Sequence, residues 1–407
     1  MTMSEQQELV VDLVVSGASE LLTCAGDASD FIGLIPGGGV AISNGRVVAV
    51  GDISGFHARR VVDANGGVVM PGFVDAHTHV VFGGTRVEEY AARIAGDEPP
   101  VEAPRGIAGT VDTTRATSSE QLFVESAGRA REMFAHGTTT LESKSGYGLS
   151  AMDELRLLET NRRLDESLPV SLVSTYLGAH DFPVDITHSQ YVDQIVSLIP
   201  EIAERGLAEF CDVYCDEGYF SVTQTERILT TGVAAGLKPK LHLDAYSHTG
   251  AASLAVEQGA VSVDHMNFTT DTELAELADA NIIGVYLPCL EFATAHPNPV
   301  DPRRLVDAGM EIALATDVCP GCWTTDMQLA IAMACRTGGL SVPRAIRAAT
   351  HGAARSLGRQ NSVGSLTPGM QADLIILDVP RHEDIAYRIG HNAVTRVIAR
   401  GTVIEGI

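Results

Sequence analysis

The stretch PGFVDAHTHVVFGG, residues 71–84, opens on a short apolar run and closes on two glycines. Between them stand two histidines, His77 and His79, at positions i and i+2. On an extended chain that spacing puts both rings on one face. Imidazole is the commonest metal ligand, so the pattern points to a metal-binding strand end. An H-x-H pair alone also arises by chance, and its meaning depends on the residues downstream.

Beyond residue 84 the chain alternates short apolar strands with helical periodicity. After GFVDAH (72–77) the expected strands are TTTLES (138–143), VSLVSTYL (170–177), EFCDVYC (209–215) and KLHLD (240–244). AVSVDH (260–265), IIGVYL (282–287) and IALATD (312–317) complete the set. Helical patterns fall between them, as in SSEQLFVESAGRAREMFAHG, MDELRLLETNRRLDE and VDQIVSLIPEIAERG. Near-continuous apolar strands suit a parallel sheet covered on both faces. Eight strand–helix units predict an α/β fold, a (β/α)8 TIM barrel. An open doubly wound sheet is the weaker alternative, because no glycine-rich phosphate loop follows the first strand.

Both ends of the chain read differently. Residues 1–70 carry β-branched runs broken by glycine and asparagine turns, and residues 363–407 do the same. The expected arrangement is a small β-sandwich domain built jointly from 1–70 and 363–407, with the barrel over 71–362. His77, His79, Lys144, His180, Asp216, His242, His265 and Asp317 all fall at or just past the end of an expected strand. In a barrel those ends converge on one face.

The order H-x-H, His242, His265, Asp317 resembles the ligand pattern of the amidohydrolase superfamily, and the ending VGSLTPGMQADLIILD is similar to that superfamily's β-domain tail. The resemblance narrows to the imidazolonepropionase family through HTHVVFGGTR, GIAGTVDTTRATS, GTTTLESKSGYGLS, YLGAHDFP, DVYCDEGYFS, DHMN and LATDVCPG, in family order and spacing. It implies that His77, His79, His242 and Asp317 bind one divalent metal ion, Zn or Fe. His265 and Asp317 would then be catalytic, while Arg86, Tyr147 and His180 would hold substrate. The implied reaction is hydrolysis of a C–N bond in a five-membered cyclic amide, like the opening of 4-imidazolone-5-propanoate to N-formimidoyl-glutamate. The partner is a small-molecule cyclic amide that can carry a carboxylate, and the implied assembly is a homodimer. A bound divalent metal lowers the pKa of water to about 7, which suits such chemistry.

Three positions depart from the family. His242-Leu243-Asp244-Ala245 replaces H-x-D-E, whose glutamate serves the reacting ring, and Asp317-Val318-Cys319-Pro320-Gly321-Cys322 replaces D-F-N-P-G-S. Asn267 follows DHM. The metal set is whole and the pocket altered, so a hydantoin-like or other related ring is an alternative, as is deamination of a heterocycle. Glu142, Asp216, Glu217 and Glu291 are the candidates to stand in for the missing glutamate. Lys144 invites comparison with a metal-bridging carboxylated lysine, but KSGYG matches mononuclear relatives. The residues from 83 to 118 form a candidate lid, with Tyr90, Arg93, Arg105 and Arg115 on it. His136, His188, His248, His296 and His351 read as structural or exposed.

Composition limits the partners. The formal net charge is −24, with lysine only at 144, 238 and 240. So acidic a surface repels nucleic acid and anionic lipid, and an anionic substrate would need clustered arginines. No apolar run reaches the ~18 residues of a membrane span. MTMSEQQELV at the start lacks the pattern of a secretory leader. Seven scattered cysteines agree with a reducing cytoplasm. The Cys319/Cys322 pair, with no second C-x-x-C, reads as pocket lining.

Overall fold

The computed structural model describes residues 9–26, 30–100 and 103–405. Most of the N-terminal stretch compared with a secretory leader, together with residues 27–29, 101–102 and 406–407, lies outside the described residues. Eight parallel strands follow one another in sheet order and make a (β/α)8 barrel. They are β1 (Phe73–Asp75), β2 (Thr138–Lys144), β3 (Ser171–Ala179), β4 (Phe210–Cys215), β5 (Lys238–Leu243), β6 (Ser262–His265), β7 (Ile283–Tyr286) and β8 (Ile312–Leu314). Each lies within a few residues of its expected place. The assigned β1 stops at Asp75, so His77 and His79 follow the strand rather than sit within it.

That short strand has a physical reason. Past Asp75 the chain turns to the other end of the sheet, where Asp317 N donates to His77 O at 3.1 Å and His79 N donates to Val318 O at 2.9 Å. The Asp75 carboxylate accepts from Thr316 N at 3.1 Å and from Thr316 Oγ1 at 2.6 Å. These bonds close the barrel, and they bring the H-x-H segment beside Asp317.

Helices begin where hydroxyl residues can take up their free N–H groups. Ser118 and Ser150 cap Ser119–Ala135 and Ala151–Ser167, while Thr187, Ser221 and Thr270 form capping boxes with Gln190, Gln224 and Glu273. Thr187 places His188 at the start of the helix His188–Glu204. The 83–118 stretch holds two helices, Val87–Ala95 and Gly106–Ala116. Among the described residues, no helix is long and apolar enough to cross a membrane.

The chain ends form two further sheets. One orders Arg46–Gly51, Gly39–Ser43, Leu9–Ser16 and Phe56–Asp63. The other runs Thr402–Ile404, Val394–Ala399, Leu374–Leu377, Val68–Pro71, Glu20–Leu22 and Leu34–Pro36. Val69 pairs with Ile376 in antiparallel register, so the two termini share one sheet. Val15, Leu21, Val40, Ile42, Val69, Leu374, Ile376 and Ile398 pack into one apolar core between the two sheets.

Candidate metal centre

His242 lies opposite Asp264 in the β5–β6 register, and Leu243 opposite His265. His77, His79 and His242 offer ring nitrogens within 4.8 Å of one another, and His77, His265 and Asp317 form an overlapping group. Ring centroids of His77 and His242 are 4.7 Å apart, and those of His77 and His79 are 5.3 Å apart. Asp317 Oδ1 lies 3.6 Å from His77 Nε2 and 3.8 Å from His79 Nε2. All four side chains are buried.

Buried polar atoms ordinarily find a partner. Here His77 Nε2, His79 Nδ1, His242 Nε2 and Asp317 Oδ1 have none among the described residues. Burial also drives the three imidazoles well below their usual pKa, so they are neutral and their lone pairs are free. Three neutral imidazoles and one carboxylate suit Zn or Fe(II). The donor set fits a divalent cation.

The ends of three strands hold unusual backbone. Asp244, His265 and Asp317 have φ of 51°, 75° and 50°. Such left-handed non-glycine residues concentrate at functional sites. Burial pushes the Asp317 carboxyl up to about 7 and His265 down to about 4.

A cavity of about 230 Å³ opens above the cluster. Arg86, Tyr147 and His180 line it together with His79, His242, His265 and Asp317. His180 stacks on His79 with centroids 4.8 Å apart and puts its Nδ1 3.1 Å from Gly146 O. That geometry needs Gly146, since a Cβ there would come within 2.9 Å of His180. The Arg86 guanidinium packs over Gly321, where an added Cβ would meet Nη2 at 2.3 Å.

Several sequence candidates are otherwise engaged. Glu291 accepts from Asn267 Nδ2 at 2.7 Å and Val300 N at 2.9 Å, and Asp216 accepts from Tyr246 N at 2.7 Å. Glu142 is wholly buried beneath the site, and Glu217 is exposed. None of the four lines the cavity. Among its lining residues the carboxylates are Asp317 and Glu89, and Glu89 accepts from Gly106 N at 3.0 Å. Tyr90 and Arg93 of the 83–118 stretch also line it. Arg105 donates to Pro99 O at 2.6 Å, and Arg115 ties down Gly148 and Leu149. Cys319 lines the cavity, whereas Cys322 faces an adjoining apolar groove with its Sγ 3.6 Å from Thr316 O. His136, His188, His248, His296 and His351 line none of it.

Sequence reasoning missed the layer below. Asp264 Oδ2 accepts from His77 Nδ1 at 2.7 Å, and Lys144 Nζ lies 2.7–3.1 Å from Asp212, Asp264 and Glu142. Lys144 is thus saturated by carboxylates, with no room for a bridging role between metals. Tyr214, Tyr219 and Tyr246 also line the cavity and were not anticipated. A signal existed: charged residues inside otherwise apolar strands, as in FCDVYC and SVDH, mark an inward-facing polar layer.

Two amidohydrolase family models match residues 60–173 and 223–404. The chain is 41% identical to the imidazolonepropionase of Geobacillus kaustophilus, over 96% of this chain and 97% of that protein. It is 40% identical to that of Symbiobacterium thermophilum, covering 97% of each, and 38% identical to that of Haloarcula marismortui, covering 97% and 96%. In fold it is similar to a zinc-bound adenosine deaminase from Xanthomonas campestris, with TM-score 0.74 and 19% identity over 98% of this chain and 95% of that one. An atrazine chlorohydrolase from Arthrobacter aurescens, also with zinc, gives TM-score 0.75 and 16% identity over 96% and 94%. With relatives this similar along nearly the whole sequence, the chain belongs to the imidazolonepropionase family of the amidohydrolases.

Proposed function

We propose that this chain hydrolyses a ring C–N bond of a five-membered cyclic amide, opening 4-imidazolone-5-propanoate to N-formimidoyl-glutamate. The observation that carries it is the set of partnerless buried atoms on His77, His79, His242 and Asp317 at the mouth of the barrel. Those four residues hold one divalent ion, zinc or iron, which when bound lowers the pKa of water to about 7.

The chain's own groups do the remaining work. Asp317 takes the proton released by water and returns it to the departing ring nitrogen. Neutral His265 donates a hydrogen bond to the carbonyl oxygen as negative charge grows there; one such donor is worth roughly 3 kcal/mol. Arg86 pairs with the propionate carboxylate, a strong charge-assisted contact that overcomes the acidic surface at short range. His180 spends Nδ1–H on Gly146 O and turns Nε2 to the ring, and Tyr147 supports the same side. On the family resemblance the enzyme acts in the cytoplasm as a homodimer, a state that sedimentation measures.

A second reading is favoured by one observation. Ala245 and Cys319 stand where the family carries polar groups, and no candidate acid lines the cavity in their place. A hydantoin-like or related ring is then the substrate of the same machinery. The test is purified protein loaded with zinc or iron, offered 4-imidazolone-5-propanoate, hydantoins and lactams. Ring opening of the first without ammonia is the expected result. Ammonia release would show a deaminase instead, and preference for a hydantoin would move the assignment to the second reading.

A further inference from the structure

We propose that Lys144 is a positioning residue which sets the tautomers of two metal histidines at once. Its role presupposes the metal site proposed above. One ammonium joins two carboxylates, and each presents to it the same oxygen that faces a histidine. Asp264 Oδ2 is 2.7 Å from His77 Nδ1 and 3.1 Å from Lys144 Nζ. Asp212 Oδ2 is 2.7 Å from Lys144 Nζ and 3.1 Å from His242 Nδ1. The result is a chain of close polar contacts from one imidazole to the other, in which His77–Asp264 and Lys144–Asp212 are hydrogen bonds and Lys144–Asp264 and Asp212–His242 are ion-pair contacts.

An ammonium has three donors and no acceptor. Glu142 Oε2 adds an ion-pair contact at 3.1 Å, and Glu142 in turn pairs with Lys240 Nζ at 2.9 Å and accepts from Thr175 Oγ1. Lys144, Asp264 and Glu142 are wholly buried and Asp212 nearly so. Uncompensated charges there would be costly. Lys144 holds both carboxylates against the imidazoles, so that each Nδ1 faces a carboxylate oxygen and each Nε2 is left toward the cation. The His242 arm is the less well aligned, since its 3.1 Å contact falls off the hydrogen-bond direction. Partners that orient a metal-bound histidine typically change metal affinity by roughly 10–100-fold.

The experiment pairs histidine nitrogen NMR on metal-free protein with zinc affinity by chelator competition. Wild type is expected to show His77 and His242 as Nδ1–H tautomers. Lys144→Met is expected to mix both tautomers and to raise the zinc dissociation constant roughly 10–100-fold. Asp264→Asn and Asp212→Asn split the path, one moving His77 alone and the other His242 alone. They carry the test if Lys144→Met does not fold. Unchanged tautomers with zinc affinity within about twofold of wild type, in folded Lys144→Met or in both asparagine variants, would overturn the proposal. Wild-type protein that takes up no zinc would refute the metal reading instead, while the metal-free tautomers still decide the role of Lys144.

Discussion

The proposed function gives Asp317 two tasks, as the single anion of the ligand set and as the group that moves a proton. Asp317→Asn keeps the shape and removes both. Turnover should fall at least about 100-fold and metal content should fall with it, checked by rate and elemental analysis on the same sample. Arg86 has one task. Arg86→Ala should raise KM for carboxylate-bearing substrates about 10–100-fold and leave kcat within about threefold, the pattern of lost uniform binding. An equal fall in kcat would place Arg86 in the chemical step. At this scale the sequence was readable wherever a residue type is rare and its spacing constrained, as with His77 and His79. Asp212, Asp264 and Lys240 escaped notice, because a charge within an apolar strand gives no hint of what it meets across the barrel.

Between elements, Glu291 links the helix Pro288–Thr294 after β7 to Asn267 after β6. Burial raises its carboxyl to about 7 from an ordinary 4.5. Below about pH 4.5 the group is neutral in both folded and unfolded chains, and its contribution to stability is fully present. As pH rises through 7 the folded chain must ionise it, and that contribution is lost. Glu291→Gln keeps an acceptor for Asn267 and Val300 and cannot ionise. Between pH 5 and pH 8 the variant should therefore gain on wild type by on the order of 1–2 kcal/mol, discounted for partial exposure. Parallel stability curves from denaturant titrations at the two pH values would contradict this. Strands and capped helices were legible at this scale because apolar runs and hydroxyl caps are local signals. The 83–118 stretch was not, since its helix Val87–Ala95 has no buried residue and its pattern lacks a core to point to. The brevity of β1 was equally hidden, being set by backbone bonds to Asp317 and Val318, beyond the end of β8.

For the whole molecule, the α/β barrel and the pairing of the chain ends were visible in the change of pattern at each end of the sequence. With a charge of −24, an anionic substrate would depend on Arg86 and Arg93, the guanidinium groups among the cavity's lining residues. The shared terminal sheet makes a further demand. Val68–Pro71, which leads directly into β1, is held between Glu20–Leu22 and Leu374–Leu377. A chain ending at residue 370 keeps every metal-ligand candidate, yet it should retain no zinc after dialysis, because the segment that aims His77 has lost its neighbour. Zinc retention at full stoichiometry would show that the barrel shapes the site unaided.

That pairing imposes an order of birth. While the protein is being made, His77 and His79 emerge early, but the strand Leu374–Leu377 that pins their approach is synthesised only after the whole barrel. Closing roughly 300 residues of loop is a slow, late event. The centre is therefore expected to mature only once Leu374–Leu377 has left the ribosome, and a nascent chain stalled before that strand should hold no zinc.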